Sequence, residues 1–265
     1  MLAVLLDFNV GYAVIDRLFP ESILELRRFS VKLRVKFSKH GVLRFIGHLD
    51  VMRYFQKAIR RAGIDIVYST GFSPHQIMSF AAPLGVGLES NGEYMDIEVH
   101  SLTSAKDFVD ALNAQMADGI KVLEVKLLPD NAGNAMASVA AARYTITFRK
   151  EYQPLFLSTS VINNFMCQEN IIVTKKTKRS EVTFDMKPYI FECCFDEENC
   201  SIMLTVDASS ANNLKPSLVI RALYEANNQE FDDFGLLITR EETYTNVGTV
   251  NAVQLEPLGA VGSEY

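Results

Sequence analysis

The sequence lacks the cysteine spacing that marks most metal and redox sites. It has four cysteines, contains no Cys-x-x-Cys pair, and places no histidine near the group. Adjacent Cys193 and Cys194 cannot readily bond to each other, and the positions of Cys167 and Cys200 do not fit a zinc or iron–sulfur site. We therefore expect reduced, buried thiols and no metal site.

The sequence also lacks the motifs of common enzymes and any run long enough to cross a membrane. It contains no glycine-rich phosphate loop and no nucleophile elbow. The apolar start, "MLAVLLDFNVGYAVIDRLF", is interrupted by Asp7 and is too short for a membrane span. We predict a cytoplasmic protein that contacts no membrane and carries no cofactor. Residues 1–30 are predicted to be an N-terminal extension, either a short extra element or the product of a start codon placed too far upstream.

The charge of the chain is unevenly distributed. The net charge of −6 gives no general sign of nucleic-acid binding. Residues 32–61, however, contain nine basic residues and a single acidic one, Asp50, and so carry +8, which leaves −14 for the other 235 residues. This asymmetry predicts a positively charged surface in the first half of the chain, suited to a negatively charged partner.

The order of the predicted elements indicates an α+β fold. In "VKLRVKFSK" apolar and polar residues alternate, which predicts a strand with one buried and one basic face. A helix, two strands joined across "SNGE", a second helix and a further strand follow. This β-α-β-β-α-β order is the ferredoxin-like plan, with an antiparallel sheet, and the second half repeats it less regularly. We predict two such units side by side, with these boundaries: extension 1–30, first unit 31–130, linker 131–142, second unit 143–245 and disordered tail 246–265.

The first predicted helix, "HLDVMRYFQKAIRRAG", has an apolar face and a basic face. Its apolar face, predicted to pack on the sheet, consists of Leu49, Met52, Phe55 and Ile59. The basic residues lie at i, i+4, i+7 and i+8, with no acidic residue beside them: Arg53, Lys57, Arg60 and Arg61. They form either a solvated face or a surface for the phosphates of single-stranded RNA.

The loop "YSTGFSPH", residues 68–75, follows this helix. We expect Gly71 to adopt a backbone conformation that other residues disfavour and Pro74 to fix the exit of the loop, so that the loop is rigid. Tyr68 and Phe72 either stack on bases or anchor the loop in the core. A second basic run lies near residue 175. With that run included, the predicted nucleic-acid contacts are Arg44, Arg53, Lys57, Arg60, Arg61, Tyr68, Phe72, His75, Lys175, Lys176 and Arg179.

Three polar side chains are candidates for catalysis, namely His48, Asp50 and His75. His48 and Asp50 open the helix, whereas His75 follows its far end, about 20 Å away at 1.5 Å per residue. This separation argues against a joint metal site. It leaves open a single histidine that acts as a general acid or base on RNA.

Several segments together resemble a bacterial domain of unknown function linked to radical SAM proteins. The resemblance spans about residues 31–244 and includes Arg-Phe-x-x-His-Leu-Asp, Arg-Arg-Ala-Gly and Tyr-Ser-x-Gly-Phe-x-Pro-His segments. It also includes four later residues: Asp185, Lys187, Pro188 and Arg240. Such domains are encoded beside radical SAM proteins or fused to their C-terminus, so the resemblance implies a radical SAM partner. This chain has no three-cysteine cluster motif, and we do not expect it to be the radical enzyme itself.

These observations favour a non-catalytic accessory or substrate-binding module, associated with RNA and working with a radical SAM partner. Two alternatives stay open. One is an RNA-processing or RNA-modifying enzyme that uses His48 and Asp50, or His75. The other is a protein–protein adaptor whose basic surface meets an acidic partner.

Overall fold

The structure, a computed structural model, describes residues 30–176, 181–249 and 252–264. Residues 1–29, which contain almost all of the predicted extension, lie outside the described residues. The fold is a mixed α/β architecture with one large, mostly antiparallel sheet. No helix within the described ranges is long and apolar enough to span a membrane.

The described ranges contain eleven strands and five α-helices. The strands are β1 Val31–Lys39, β2 Met78–Phe80, β3 Glu89–Val99, β4 Ile120–Leu127, β5 Ala141–Phe148, β6 Ile172–Lys176, β7 Glu181–Asp185, β8 Ile190–Asp196, β9 Ser201–Asp207, β10 Leu236–Asn246 and β11 Leu255–Pro257. The helices are α1 His48–Arg61, α2 Ala105–Asn113, α3 Ala135–Ser138, α4 Thr159–Met166 and α5 Pro216–Ala226.

The large sheet joins both halves of the chain. Its strand order is β4-β1-β3-β10-β5-β9-β8, with β2 beside β3 and β11 beside β10, while β6 and β7 form a separate pair. The halves meet where β10 lies parallel to β3, with Thr239 opposite Glu89 and Arg240 opposite Ser90. The last long strand of the chain therefore lies in the middle of the sheet.

Each half of the sheet packs its own helices against one face. In the first half, alternate apolar residues of β1 pack on α1, and the rings of Phe37 and Phe55 lie 4.7 Å apart in an edge-to-face contact. In the second half, β5, β8 and β9 pack against α4 and α5 around buried residues such as Ile146 and Ile220. Ser104 caps α2 by accepting a hydrogen bond from the Asp107 amide, as its sequence position predicts.

The predicted hairpin at "SNGE" is wrong, because β3 runs straight through Asn91 and Gly92. A Cβ atom at Gly92 would lie 2.6 Å from the carbonyl oxygen of Glu241 and 2.8 Å from the Cα of Glu242. Glycine at this position therefore permits the close approach of β10 rather than a turn.

The basic face of β1 is covered by the protein instead of facing solvent. Arg34 is almost fully buried and forms a two-bond ion pair with Asp96, at 2.8 and 2.9 Å. Lys36 pairs with Glu242 at 2.6 Å. Much of the positive charge counted in residues 32–61 is thus neutralised within the fold, and the candidate binding charge is that of α1.

The C-terminal segment, expected to be disordered from residue 246, folds back onto the sheet. β11 pairs with the end of β10, and Ser263 exchanges backbone hydrogen bonds with Leu127. Leu258 is fully buried, and its carbonyl oxygen accepts a 2.9 Å hydrogen bond from Arg34. The burial of the Leu258 side chain and the hydrogen bond from Arg34 to its carbonyl hold this segment in place, although the segment has few charges and weak periodicity.

The four cysteines are free, but they are not all buried as expected. Cys167 and Cys194 are exposed, whereas Cys193 and Cys200 are partly buried. Burial raises the pKa of Cys193 to about 12. This thiol therefore stays protonated at neutral pH, which makes it unreactive.

Candidate functional site

Helix α1 presents a basic face to solvent. Arg53, Lys57, Arg60 and Arg61 are all exposed, and the opposite face buries Val51, Phe55, Ala58 and Ile59. Leu49, predicted to be buried, is 59% exposed, because it lies six residues before Phe55 and about 120° away around the helix.

The cations of α1 differ in how free they are. Lys57 and Arg60 make no side-chain hydrogen bond or ion pair to any residue that the structure describes. Arg53 contacts Asp50 at 3.4 Å, with both side chains about two-thirds exposed, so this pair contributes little. Arg61 donates a 2.9 Å hydrogen bond to the carbonyl of Gln115. The free positive charge of the helix is therefore concentrated at Lys57 and Arg60.

Residues 67–77, which include "YSTGFSPH", form a hairpin that lies along α1. The Ser69 amide donates to the His75 carbonyl and the Ile77 amide donates to the Val67 carbonyl, both at 2.8 Å. Gln76 is buried and donates a 3.2 Å hydrogen bond to the carbonyl of Gln56, the residue before Lys57. This bond fixes the hairpin beside the basic face of the helix.

The tip of the hairpin displays an aromatic ring. Gly71 has a φ of +113°, a backbone conformation that disfavours any side chain, and it turns the chain at the tip. Phe72, the next residue, is fully exposed, and Tyr68 is 45% exposed. Phe72 is therefore not a core anchor. We call Arg53, Lys57, Arg60, Tyr68 and Phe72 the helix–hairpin surface.

The three candidate catalytic side chains occupy different surroundings. Asp50 is exposed and contacts Arg53. His75 is exposed on the hairpin, with Nδ1 2.8 Å from the Ser69 hydroxyl. His48 is partly buried, and its ring lies edge-to-face against Phe80 at 5.2 Å. Within the described ranges, no three or more His, Cys, Asp or Glu side chains come together as a metal site.

The remaining predicted contacts are Arg44 and the basic run near residue 175. Arg44 pairs with Glu89 at 3.1 Å. Burial alone would raise the pKa of Glu89, but the hydrogen bonds from His40 and Gly41 and the charge of Arg44 outweigh it and lower that pKa. Lys175 and Lys176 end β6. Arg179 lies outside the described residues.

A group of buried charges at the centre of the sheet was not predicted from the sequence. Arg240 on β10 and Glu93 on β3 form an ion pair at 2.8 Å, with both side chains less than 10% exposed. Arg240 also donates to the carbonyl of Ala82 at 2.8 Å and approaches the Tyr144 hydroxyl at 3.4 Å. Burial alone would lower the pKa of Arg240, but the charges of Glu93 and Tyr144 and the hydrogen bonds to both together outweigh it and raise that pKa.

Lys39 lies beside this ion pair. It is 2% exposed, and its ammonium group has no hydrogen-bond or ion-pair partner within the described ranges. Burial lowers the pKa of Lys39, although the negative charge of Glu93 opposes the shift. With His48 and Glu93, Lys39 lines a cavity of about 20 Å³, which is large enough for a single water molecule.

A larger opening, the central cleft, lies on the other side of Arg240, where the two halves meet. It has a volume of about 510 Å³. Its lining includes Tyr144 and Arg240 from the sheet, Ala82 and Leu88 from the segment between β2 and β3, and Lys215 and Ser217 at the start of α5. A cleft of this size accommodates a small organic molecule.

The fold and these surfaces define a mixed α/β protein with an exposed basic and aromatic surface on one half and a cleft at the junction of both halves. A family model described as an uncharacterized protein conserved in bacteria (DUF2344) matches residues 32–216, well over half of the chain. The chain belongs to this family. The matched range contains the whole helix–hairpin surface and stops at the first residue of α5. No curated protein matches the chain.

Proposed function

We propose that this protein is a non-catalytic module that holds single-stranded RNA on its helix–hairpin surface. The observation that carries the proposal is the full exposure of Phe72 beside α1. A ring displayed in this way is available to stack on a base, and base–aromatic stacking contributes to the binding of single strands. The neighbouring cations Lys57 and Arg60 match the phosphates of the same strand.

The arrangement of the surface supports RNA over a purely solvated face. A solvated helix face alternates charges of both signs, whereas this one carries Arg53, Lys57 and Arg60 with Asp50 as the only acidic residue beside them. Gln76 fixes the aromatic hairpin against the helix, so the rings need little ordering on binding. Preorganised rings and cations bind flexible single strands at a lower entropic cost.

A radical SAM protein is the proposed recipient of the bound RNA. This part of the proposal rests on the resemblance of residues 44–50, 60–63 and 68–75 to domains encoded with such proteins. In the structure, residues 60–63 and 68–75 fall at the end of α1 and in the hairpin, next to or within the helix–hairpin surface. A module that presents RNA to a partner accounts for the exposed cations and aromatic rings of the helix–hairpin surface.

The two halves are proposed to be ferredoxin-like units. The second half has the sheet order β10-β5-β9-β8, and the first has β4-β1-β3 with β2 beside β3. In both, the fourth strand lies next to the first, and the first next to the third, which is the order expected of a β-α-β-β-α-β unit.

The test is binding of a labelled single-stranded RNA of about ten nucleotides, followed by fluorescence anisotropy at several salt concentrations. Reversal of three charges, in the variant Arg53→Glu, Lys57→Glu and Arg60→Glu, is expected to weaken binding by about 100-fold or more. It should also flatten the dependence on salt by about 0.7 logarithmic units per lost phosphate contact. Phe72→Ala should weaken binding by about tenfold without changing the salt dependence.

The matched control reverses three exposed lysines elsewhere, in the variant Lys106→Glu, Lys121→Glu and Lys150→Glu. It changes the net charge by the same amount and should keep most of the affinity. Equal losses of RNA affinity in both triple variants would show that only the overall charge matters. Unchanged affinity in the variant of Arg53, Lys57 and Arg60 would overturn the proposal.

The partner is tested by purifying the tagged protein from cells and identifying the bound protein and RNA. The proposal expects a radical SAM protein in the eluate, with RNA that nuclease treatment removes. Retention of the partner in high salt after nuclease treatment, with no RNA bound by the purified chain, would instead identify a protein–protein adaptor.

A further inference from the structure

Two cations and no aspartate or glutamate are among the described residues that line the central cleft. The cations are Lys215 and Arg240, of which Arg240 shares its charge with the buried carboxylate of Glu93. The larger cleft of about 800 Å³ beside β5, by contrast, is lined by Glu230 and Asp232 and by no lysine or arginine. These two clefts therefore differ in the charge of their lining residues.

Arg240 supplies donors that the fold does not use. Arg240 is 6% exposed. Its Nε donates to the Tyr144 hydroxyl, and its Nη1 donates to the Ala82 carbonyl and the Glu93 carboxylate. Nη2 has no hydrogen-bond partner among the described residues. Among those residues, Gln76 Oε1 is the one fully buried side-chain N or O atom that lacks a partner. Nη2 is therefore not fully buried, and Arg240 is a lining residue of the central cleft.

Helix α5 adds the Ser217 amide as a donor at the same cleft, because Pro216 has no N–H and the Leu218 amide is bonded to the Lys215 carbonyl. Its first residues, Pro216 and Ser217, line the cleft, and no side chain caps this end of the eleven-residue helix. The partial positive charge of a helix N-terminus favours anions. Lys215, the residue before the helix, is exposed and without a side-chain partner within the described ranges. Ser217 adds a hydroxyl.

The rest of the lining is apolar. Ala82, Pro83, Val86, Leu88 and Ile238 contribute alkyl surface around the polar groups. Such a lining suits a ligand with an organic part next to its anionic group better than a free inorganic ion.

We propose that the central cleft binds the phosphate monoester of an organic ligand, with Arg240, Lys215, Ser217 and the N-terminus of α5 as its phosphate contacts. The organic part packs on the apolar lining. This phosphate belongs either to a small molecule such as a mononucleotide or to the 5′ end of an RNA strand. The site is separate from the helix–hairpin surface, and neither proposal requires the other.

Isothermal titration calorimetry on the full chain tests the site with three small probes: inorganic phosphate, a nucleoside 5′-monophosphate and the same nucleoside without phosphate. The monophosphate is expected to bind with a dissociation constant of about 1 mM or tighter, and the nucleoside at least tenfold more weakly. Lys215→Gln and Ser217→Ala should each weaken the monophosphate by about five- to tenfold.

Arg240 is not varied, because its loss would disturb the fold. The variant Lys121→Gln, an exposed lysine outside both the central cleft and the helix–hairpin surface, is the matched control and should bind the monophosphate as the wild type does. A short RNA with either a 5′-phosphate or a 5′-hydroxyl distinguishes the two sources. A preference for the phosphorylated RNA that Lys215→Gln removes assigns the site to an RNA end, whereas a preference for the mononucleotide alone assigns it to a small molecule.

The proposal is overturned if no probe binds at about 10 mM, if nucleoside and monophosphate bind equally, or if Lys215→Gln and Ser217→Ala leave the monophosphate affinity unchanged. Any of these results leaves the RNA proposal intact, because that one depends on Lys57, Arg60 and Phe72.

Discussion

At the scale of single residues, the main feature of this protein is a group of three buried charges at the centre of the sheet. Lys39, Glu93 and Arg240 come from strands that are far apart in sequence, and the two partners of the ion pair are 147 positions apart. Sequence patterns report local periodicity, so they predict the strand β1 and the basic face of α1. They do not predict which distant acid neutralises a given base. For this reason the positive window of residues 32–61 overstated the exposed charge.

Removing one partner of the buried ion pair should be costly. Arg240→Met leaves Glu93 buried without its counter-charge, and we expect a loss of about 3–5 kcal/mol in the free energy of unfolding. Urea denaturation followed by circular dichroism measures this loss. The triple variant Lys39→Met, Glu93→Leu and Arg240→Met should recover most of it, because none of the three buried charges remains. A single variant with the urea midpoint of the wild type would contradict the assignment.

Lys39 gives stability a specific pH dependence. Its folded-state pKa is lowered from 10.5 by burial, so the unfolded chain holds its proton at pH values where the folded chain has released it. The free energy of unfolding therefore rises with pH between the lowered pKa and about 10.5. Lys39→Met should be more stable than the wild type near neutral pH, and this advantage should shrink as the pH approaches 10. A difference that stays constant over the range would refute the prediction.

At the scale of elements, turn signals in the sequence had two different meanings. Gly71 marks a true turn, since its positive φ shapes the hairpin tip that displays Phe72. Asn91 and Gly92 looked like a turn but lie inside β3, where the missing Cβ admits the neighbouring strand. A single sequence does not distinguish the two, because both positions require glycine for a steric reason, and in one the obstacle belongs to a strand about 150 residues later.

Gly92→Ala should separate β3 from β10. The added Cβ would meet backbone atoms at 2.6 and 2.8 Å, which cannot move aside as a flexible side chain does. We expect a loss of about 1–3 kcal/mol, the usual range for overpacking. Gly47→Ala is the matched control, since a Cβ there has no atom within 4 Å. Thermal unfolding of both variants measures the difference, and equal melting temperatures would show that the strands adjust without cost.

At the scale of the whole molecule, the C-terminal segment closes the face of the sheet opposite α1. In this segment the Leu258 side chain packs in one cluster with Tyr94, and the Leu258 carbonyl accepts a hydrogen bond from Arg34. Ser263 pairs with Leu127 on the outermost strand of the first half. The sequence suggested disorder because three-residue strands are too short to show alternation. The packing of one buried side chain and one ion-paired arginine, rather than any local pattern, orders this segment.

Leu258→Ala should therefore act like a core substitution despite its position near the C-terminus. We expect a loss of about 2–5 kcal/mol in the free energy of unfolding, from the lost burial and the cavity left behind. Val261→Ala, whose side chain is 39% exposed, should cost less than about 1 kcal/mol. Denaturant unfolding compares the two. Similar small losses would mean that the segment is only loosely attached.

The position of β10 between β3 and β5 also dictates the order in which the sheet is completed during synthesis. The ribosome makes β3 long before β10, so the edge of β3 at Glu89 and Ser90 has no partner from the second half until Leu236–Asn246 emerges. An unpaired edge is a template for aggregation. Nascent chains stalled before Leu236 should thus be cleaved by protease in the first half and bound by chaperones, whereas chains released after Ser263 should resist. The two halves therefore become one sheet only after β10 has left the ribosome.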